Sequence, residues 1–293
     1  MKALVVGAHG QLGQELQSAC PPGVELVAVG REQLDIRSSA AVSDYVTGCA
    51  PDVIVNAAAY TAVDGAESKP DLAVEVNAEA PGFLARAAHT IGARLLHVST
   101  DFVFDGSANT PYSPRHEPKP LGSYGHSKLA GERRVQEILP LGSVIVRTAW
   151  VYSRYGGNFV KTMLRLMAER DSLRVVDDQV GAPTWAQGLA QAIWGFLPHP
   201  AAHGVFHWTD AGQCSWYEFA LTIQARALAL GLLERSIPIE AIPSSEYPTP
   251  ATRPAFSVLD CSSTEALLGL DRSPWQDQLY AMLQDLVEQE EPQ

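Results

Sequence analysis

The stretch Ser123-Tyr124-Gly125-His126-Ser127-Lys128 places a phenol and an ammonium four residues apart. On a helix that spacing leaves the two side chains about 40° out of line, at ~100° per residue, and so on nearly the same face. A free tyrosine, with a pKa of roughly 10, keeps its proton at neutral pH and shuttles it poorly. A nearby positive charge stabilises the phenolate, lowers that pKa and makes the phenol a usable general acid. A Tyr four residues before a Lys is also an ordinary helix-surface pair, so the chemistry depends on what else reaches the same place.

A second candidate group precedes it. Residues 94–99 read as a strand that runs into Ser99-Thr100-Asp101-Phe102-Val103-Phe104-Asp105-Gly106. Polar residues at the C-terminal end of a parallel strand sit where open α/β sheets bind ligands, so Thr100 can aim a hydroxyl at a substrate carbonyl. A Pro-rich loop, residues 111–120, then leads to the Tyr124 helix, which is expected to run to about Leu139.

The third candidate lies at the start of the chain. Ala3-Leu4-Val5-Val6 is a short, continuously apolar run, followed by Gly7-Ala8-His9-Gly10-Gln11-Leu12-Gly13 and a helical pattern. Strand, glycine turn and helix N-terminus make a phosphate cradle, because glycine lets the backbone approach a pyrophosphate and the helix end presents unpaired N–H groups. The glycines are spaced one residue looser in their first interval than the usual dinucleotide fingerprint. Residues 24–29 read as the second strand and are followed by Gly30-Arg31 and then Glu32. An acid there would bind a free ribose 2′-hydroxyl, whereas Arg31 can meet a 2′-phosphate, which favours NADPH without excluding NADH. Asn56-Ala57-Ala58-Ala59 extends a third strand, residues 52–55, with small side chains that let a flat ligand lie against the backbone.

These groups need a scaffold, and the rest of the sequence describes one. Residues 70–91 form a long Ala-rich helical pattern that Pro81 bends or restarts, and residues 144–147 read as a sixth strand. Strands and helices alternating over 150 residues predict a parallel, doubly wound Rossmann-type α/β sheet. Beyond it the pattern loosens. A helix near residues 158–169, a strand at 173–176, a helix starting near Trp185 and a capping box at Ser215 and Glu218 are expected. A Pro, Ser and Thr-rich loop (residues 237–253) and an amphipathic helix (275–288) complete a smaller region. The expected division is residues 1–150 for the nucleotide and 151–293 mainly for the substrate, with some elements returning to the sheet.

The chain has 293 residues and a formal net charge of -12. That charge disfavours nucleic acid and membrane surfaces as partners, and it means that an anionic ligand must meet local arginines, lysines or helix ends. Cys20, Cys49, Cys214 and Cys261 have no metal-like or redox spacing, no metal site is expected, and the opening apolar run is too short for a signal peptide. The cytoplasm is the expected compartment.

Together the motifs resemble the extended short-chain dehydrogenase/reductases, and within them the dTDP-4-dehydrorhamnose reductase family. The resemblance is carried by residues 7–13, 56–64, 99–106, 124–132, 147–152, 178–184 and Arg253-Pro254. It implies reduction of the C4 ketone of dTDP-4-dehydro-L-rhamnose to dTDP-L-rhamnose by NADPH or NADH. Thr100, Tyr124 and Lys128 would be catalytic, with Tyr124 giving the proton and Lys128 lowering its pKa. It implies cofactor contacts at Gly7, His9, Gly10, Gln11, Leu12, Gly13, Arg31, Asp35, Ala57, Ala58, Ala59, Thr61, Tyr124 and Lys128. Substrate contacts would come from Val63, Asp101, Phe102, Trp150, Asn158 and Arg253, the last two as diphosphate donors. The implied partner is a dTDP-sugar, with a homodimer as an open option. Phe102, where the family often carries Tyr, and Trp185 depart from the pattern. The same superfamily also contains a noncatalytic regulatory subunit of methionine adenosyltransferase and nucleotide-sugar epimerases and dehydratases. NADPH oxidation with and without the sugar separates the first of these from a reductase, and Asp101 is the sole extra acid beside Thr100 for the second.

Overall fold

The structure, a computed structural model, describes residues 1–290. Five strands come in the expected order: β1 (Lys2–Val6), β2 (Glu25–Val29), β3 (Val53–Asn56), β4 (Arg94–Thr100) and β5 (Ser143–Thr148). Residues 144–147 therefore belong to the fifth strand, not the sixth. The sixth is Gly204–His207, which pairs with β5 at the sheet edge and lies in a segment too short and mixed in pattern to stand out. All the pairings are parallel, and the strand order is Gly204–His207, β5, β4, β3, β1, β2. The order reverses between β1 and β3, the switch point at which such sheets open a crevice beyond their strand ends.

The inner strands β1, β3, β4 and β5 bury both faces, so they read as largely apolar runs, while the edge strands are only partly buried. In β1, Ala3 and Val5 pack toward α1 (Gln11–Ser18), while Leu4 and Val6 pack on the opposite side against residues of α2 (Ser39–Cys49). Two short helices, α3 (Val63–Ser68) and α4 (Pro70–Val74), lead into a π-helical turn, Glu75–Glu79, and then α5 (Ala80–Ile91). The expected break at Pro81 takes this form. Proline has no N–H for the carbonyl of residue 77, and the wider turn absorbs the mismatch. The Tyr124 helix, α6 (Ser123–Ile138), packs beside α5.

The remaining helices are α7 (Phe159–Glu169), α8 (Ala186–Gly195), α9 (Trp216–Ala229), α10 (Ser262–Leu268) and α11 (Trp275–Glu290). Of these, α8 returns to the sheet beside α1 and buries Leu189 and Ile193 in the same core as Leu16 and Val55. A separate core forms from Val160, Met163, Phe219, Ile223, Leu279 and Met282, with Leu173–Val176 paired in parallel to Ile239–Ile242 at its edge. The Ser215 and Glu218 capping box opens α9 as its sequence specifies. Among the described residues, no helix is long and apolar enough to cross a membrane.

Candidate active site

A cleft of about 940 Å³ runs along the C-terminal ends of β1, β3, β4 and β5. At one end Gly7 holds φ +92°, and a Cβ there would sit 2.7 Å from the Ala58 amide nitrogen. Only glycine fits both the conformation and the approach. Gly13 does not line the cleft. A Cβ on it would lie 2.1 Å from the Gly7 carbonyl oxygen, so its part is to let α1 close onto the turn. Gly10 caps α1 without a side-chain hydrogen bond, which leaves the helix N-terminus open beside His9, Gln11 and Leu12 in the cleft wall.

The far end of the cleft carries Arg31 and Asp35, as expected, and also Arg37. The Arg37 guanidinium takes both carboxylate oxygens of Asp35, at 2.9 and 2.8 Å, and holds its pKa down at about 2. Asp35 is thus committed to an arginine. Arg37 was not legible in the sequence, because a short loop decides where its side chain turns.

Ala57, Ala58, Ala59 and Thr61 form the floor. The floor is held from below. Asn56 Oδ1 accepts from the Ala58 N–H at 3.1 Å, and its amide meets His97 Nδ1 at 3.1 Å. A second strut is Asn77, buried in the π-helical turn, which accepts from the Tyr60 N–H at 2.8 Å. Its amide donates to the Tyr60 carbonyl and to Ser127 Oγ, both at 3.0 Å. Asn77 ties the floor to α6. Only an Asn standing just before a helix-interrupting proline hinted at it.

Thr100, Tyr124 and Lys128 meet in the middle of the cleft. Tyr124 packs edge-on against Phe102, with ring centroids 5.5 Å apart. Burial pushes its pKa up to about 12, with the neighbouring Thr100 hydroxyl acting against the rise and Asp101 adding to it. The expected lowering of the phenol pKa by Lys128 is therefore absent. The ammonium donates to the Val98 carbonyl oxygen at 2.7 Å, and loss of hydration at the buried phenol dominates. Burial also brings Lys128 down to about 8, with Glu132 opposing the fall. The Thr100 hydroxyl donates to Asp101 Oδ1 at 3.1 Å and accepts from the Phe102 N–H at 3.2 Å. Burial raises the Asp101 carboxyl to about 6.

The whole chain has the form of known reductases. The family model described as "RmlD substrate binding domain" matches residues 1–288. The chain belongs to this family. A dTDP-4-dehydrorhamnose reductase of Burkholderia thailandensis is 41% identical over 99% of this chain and all of that protein. The Escherichia coli K12 protein of the same name is 40% identical over 98% of each chain. Among solved structures, a dTDP-4-dehydrorhamnose reductase from Clostridium acetobutylicum superposes with a TM-score of 0.91 at 39% identity, covering 98% of this chain and 100% of that one. Another from Bacillus anthracis, in complex with NADP, also gives 0.91 at 36% identity, covering 97% and 99%.

In this member of the family, Val63, Asp101, Phe102, Trp150 and Arg253 line the cleft. Asn158 does not. Its amide is spent on Gln11 Oε1 and the Ser153 carbonyl, at 2.9 and 2.6 Å, and its Oδ1 caps α7 through the Lys161 N–H, so it braces the glycine turn. Trp150 adopts φ +48°, uncommon for a bulky side chain, and stacks on Trp216 with centroids 3.5 Å apart. Trp216 and Arg253 also border a second cavity of about 750 Å³, walled by Met163, Leu173 and Val175. Arg253 grips Asp64 with two nitrogens, at 3.1 and 2.8 Å. Nothing in the pattern around Arg253 marks Asp64, 189 residues away, as its partner.

Proposed function

We propose that this chain reduces the C4 ketone of dTDP-4-dehydro-L-rhamnose to dTDP-L-rhamnose with NADPH or NADH, as its relatives' names indicate for them. The observation that carries the reading is the meeting of Thr100, Tyr124 and Lys128 in one cleft with the Gly7 cradle. Residues 1–150 hold the cofactor, and residues 151–290 mainly close over the sugar while α8 and Gly204–His207 complete the sheet.

The residues fit a dinucleotide. The open N-terminus of α1 with Gly7 and Gly10 would hold its pyrophosphate, and Arg31 and Arg37 would meet its adenosine ribose. Among the residues lining that end the carboxylate, Asp35, is bound to Arg37 while Arg31 stands beside it, which supports NADPH. When bound, the cofactor supplies hydride to the carbonyl carbon.

The protein's own groups do the rest. Thr100 orients the ketone oxygen, and Tyr124 delivers the proton to it. A pKa of about 12 keeps the phenol protonated at neutral pH, the form that a donor requires. Lys128, near 8, remains largely an ammonium there and holds the nicotinamide ribose. Arg253 meets the diphosphate, and the second cavity takes the nucleoside end. The four cysteines are free thiols, which supports a reducing, cytoplasmic setting. Loss of NADPH absorbance on addition of dTDP-4-dehydro-L-rhamnose tests the assignment. Purified protein that binds NADPH but leaves its absorbance unchanged with the sugar would remove it.

A further inference from the structure

Behind the catalytic groups lies a buried ion pair that the proposed chemistry does not use. Glu132 follows Lys128 by four residues on α6 and is 1% exposed, while Arg147 and Ser99 are each 3% exposed. Glu132 Oε1 accepts from Ser99 Oγ at 2.5 Å and from Arg147 Nε at 2.9 Å, and its Oε2 accepts from Arg147 Nη2 at 2.6 Å. Ser99 immediately precedes Thr100, and the sheet register sets Ser99 beside Arg147 and Thr100 beside Thr148. A single carboxylate thus joins α6, β4 and β5.

Stability does not account for this arrangement. Two charges taken out of water recover little net free energy, and apolar side chains of similar volume commonly replace such pairs without loss. What an apolar contact cannot supply is direction. Lys128 already fastens α6 to β4 through the Val98 carbonyl, and Glu132 fastens the same two elements one turn further on. Two ties fix an angle where one leaves a pivot. The guanidinium of Arg147 is itself seated over the Phe104 ring, 5.1 Å from its centroid. His207 and His97, two further titratable groups beside the pair and Lys128, are driven toward the neutral form, chiefly by burial.

We propose that Glu132 is a positioning residue for the reduction, setting the Thr100 hydroxyl against Tyr124 through Ser99. The proposal rests on the reductase reading above. Displacements on the order of 1 Å in a reacting geometry cost on the order of 10²-fold in rate, so even a small relaxation of this tie is visible in kcat.

Two variants test it. Ser99→Ala removes the hydroxyl and leaves the ion pair intact. Its kcat is expected to fall at least about threefold while the Kd for NADPH and the KM for the sugar stay within about twofold. The paired change Glu132→Leu with Arg147→Met removes both charges together. It is expected to melt within a few degrees of the parent yet turn over at least about tenfold more slowly. A purely structural pair behaves otherwise: parent-like kcat in Ser99→Ala, or recovery to within about threefold in the folded paired variant, overturns the proposal. Should the paired variant not fold, Ser99→Ala decides alone. Wild-type protein that binds NADPH but never oxidises it with the sugar fails the reductase reading instead, so the two failures are told apart.

Discussion

At the start of α6, Tyr124 and Lys128 are almost fully buried on a helix of 16 residues, whereas Arg253 sits on a loop with 25% of its side chain exposed and grips Asp64 across the cleft. The first pair is fixed by regular backbone, by the Val98 carbonyl and by burial. The second is held by a half-exposed ion pair, a kind of contact worth ~0–1 kcal/mol and easily exchanged for another anion. The contrast separates two demands on one cleft. Groups that move a proton need a fixed geometry, while a group that admits a charged ligand needs a partner that it can leave.

The largest effect is expected at the fixed end. Tyr124→Phe removes the proposed proton donor and keeps the ring packing on Phe102, so the fold and NADPH binding should survive while kcat falls by ~10² to 10⁴-fold. Retention of more than about a tenth of wild-type turnover would show that another group supplies the proton.

Next comes the proposed adenosine end, where Arg31 would read the cofactor charge. Arg31→Ala should weaken NADPH binding by one charge-assisted hydrogen bond, about 1.5 to 3 kcal/mol, and leave NADH nearly unchanged. Dissociation constants for the two cofactors measure it. Equal losses for both would move 2′-phosphate recognition to Arg37.

Burial of Lys128 predicts a pH signature of similar size. Its pKa falls from 10.5 to about 8 on folding, so between those values the unfolded chain holds a proton that the folded protein has released. Stability then rises with pH, and the cost of burying the ammonium is felt in full below about pH 8. Lys128→Met lacks this dependence. From pH 7 to 9.5 the wild type should gain about 2 kcal/mol on the variant in urea unfolding, and parallel stability curves would place the lysine in water.

The same contrast explains what could be read in advance. The Rossmann half was legible because its strands are unbroken apolar runs and its helices carry ordinary stop and start signals, so the Gly7 turn, Thr100 and the Tyr124 helix could be placed by local pattern. The edge strand Gly204–His207 was not, since only its pairing with β5 makes it a strand. The site residues divide likewise. Those at strand ends fell into the cleft, whereas Asn158 was drawn instead to Gln11, Arg37 was turned onto Asp35 by a short loop, and Asn77, Trp216 and Asp64 emerged only when distant segments met. The pKa of Tyr124 was misjudged for the same reason. Helix spacing gives proximity to a lysine but not the depth of burial that outweighs it.

The smallest effect, and the most direct test of the exchangeable end, concerns Arg253. Its guanidinium now faces Asp64 Oδ1 and Oδ2 and the Ala251 carbonyl, and Asp64 also accepts from the Ala251 N–H, so the loop is shaped around this pair before any ligand arrives. A planar fork can leave one carboxylate and meet two phosphate oxygens in the same geometry, which a lysine cannot reproduce. Arg253→Lys keeps the charge and a single contact to Asp64, so the fold should be unaffected and the Kd for NADPH should not move. The KM for the dTDP-sugar should rise several-fold, about 1 kcal/mol, because only the directed part of the contact is lost. An unchanged KM would mean that Arg253 stays with Asp64 throughout turnover, and a loss confined to NADPH would assign it to the cofactor. Either result would erase the distinction between a fixed catalytic end and an exchangeable rim.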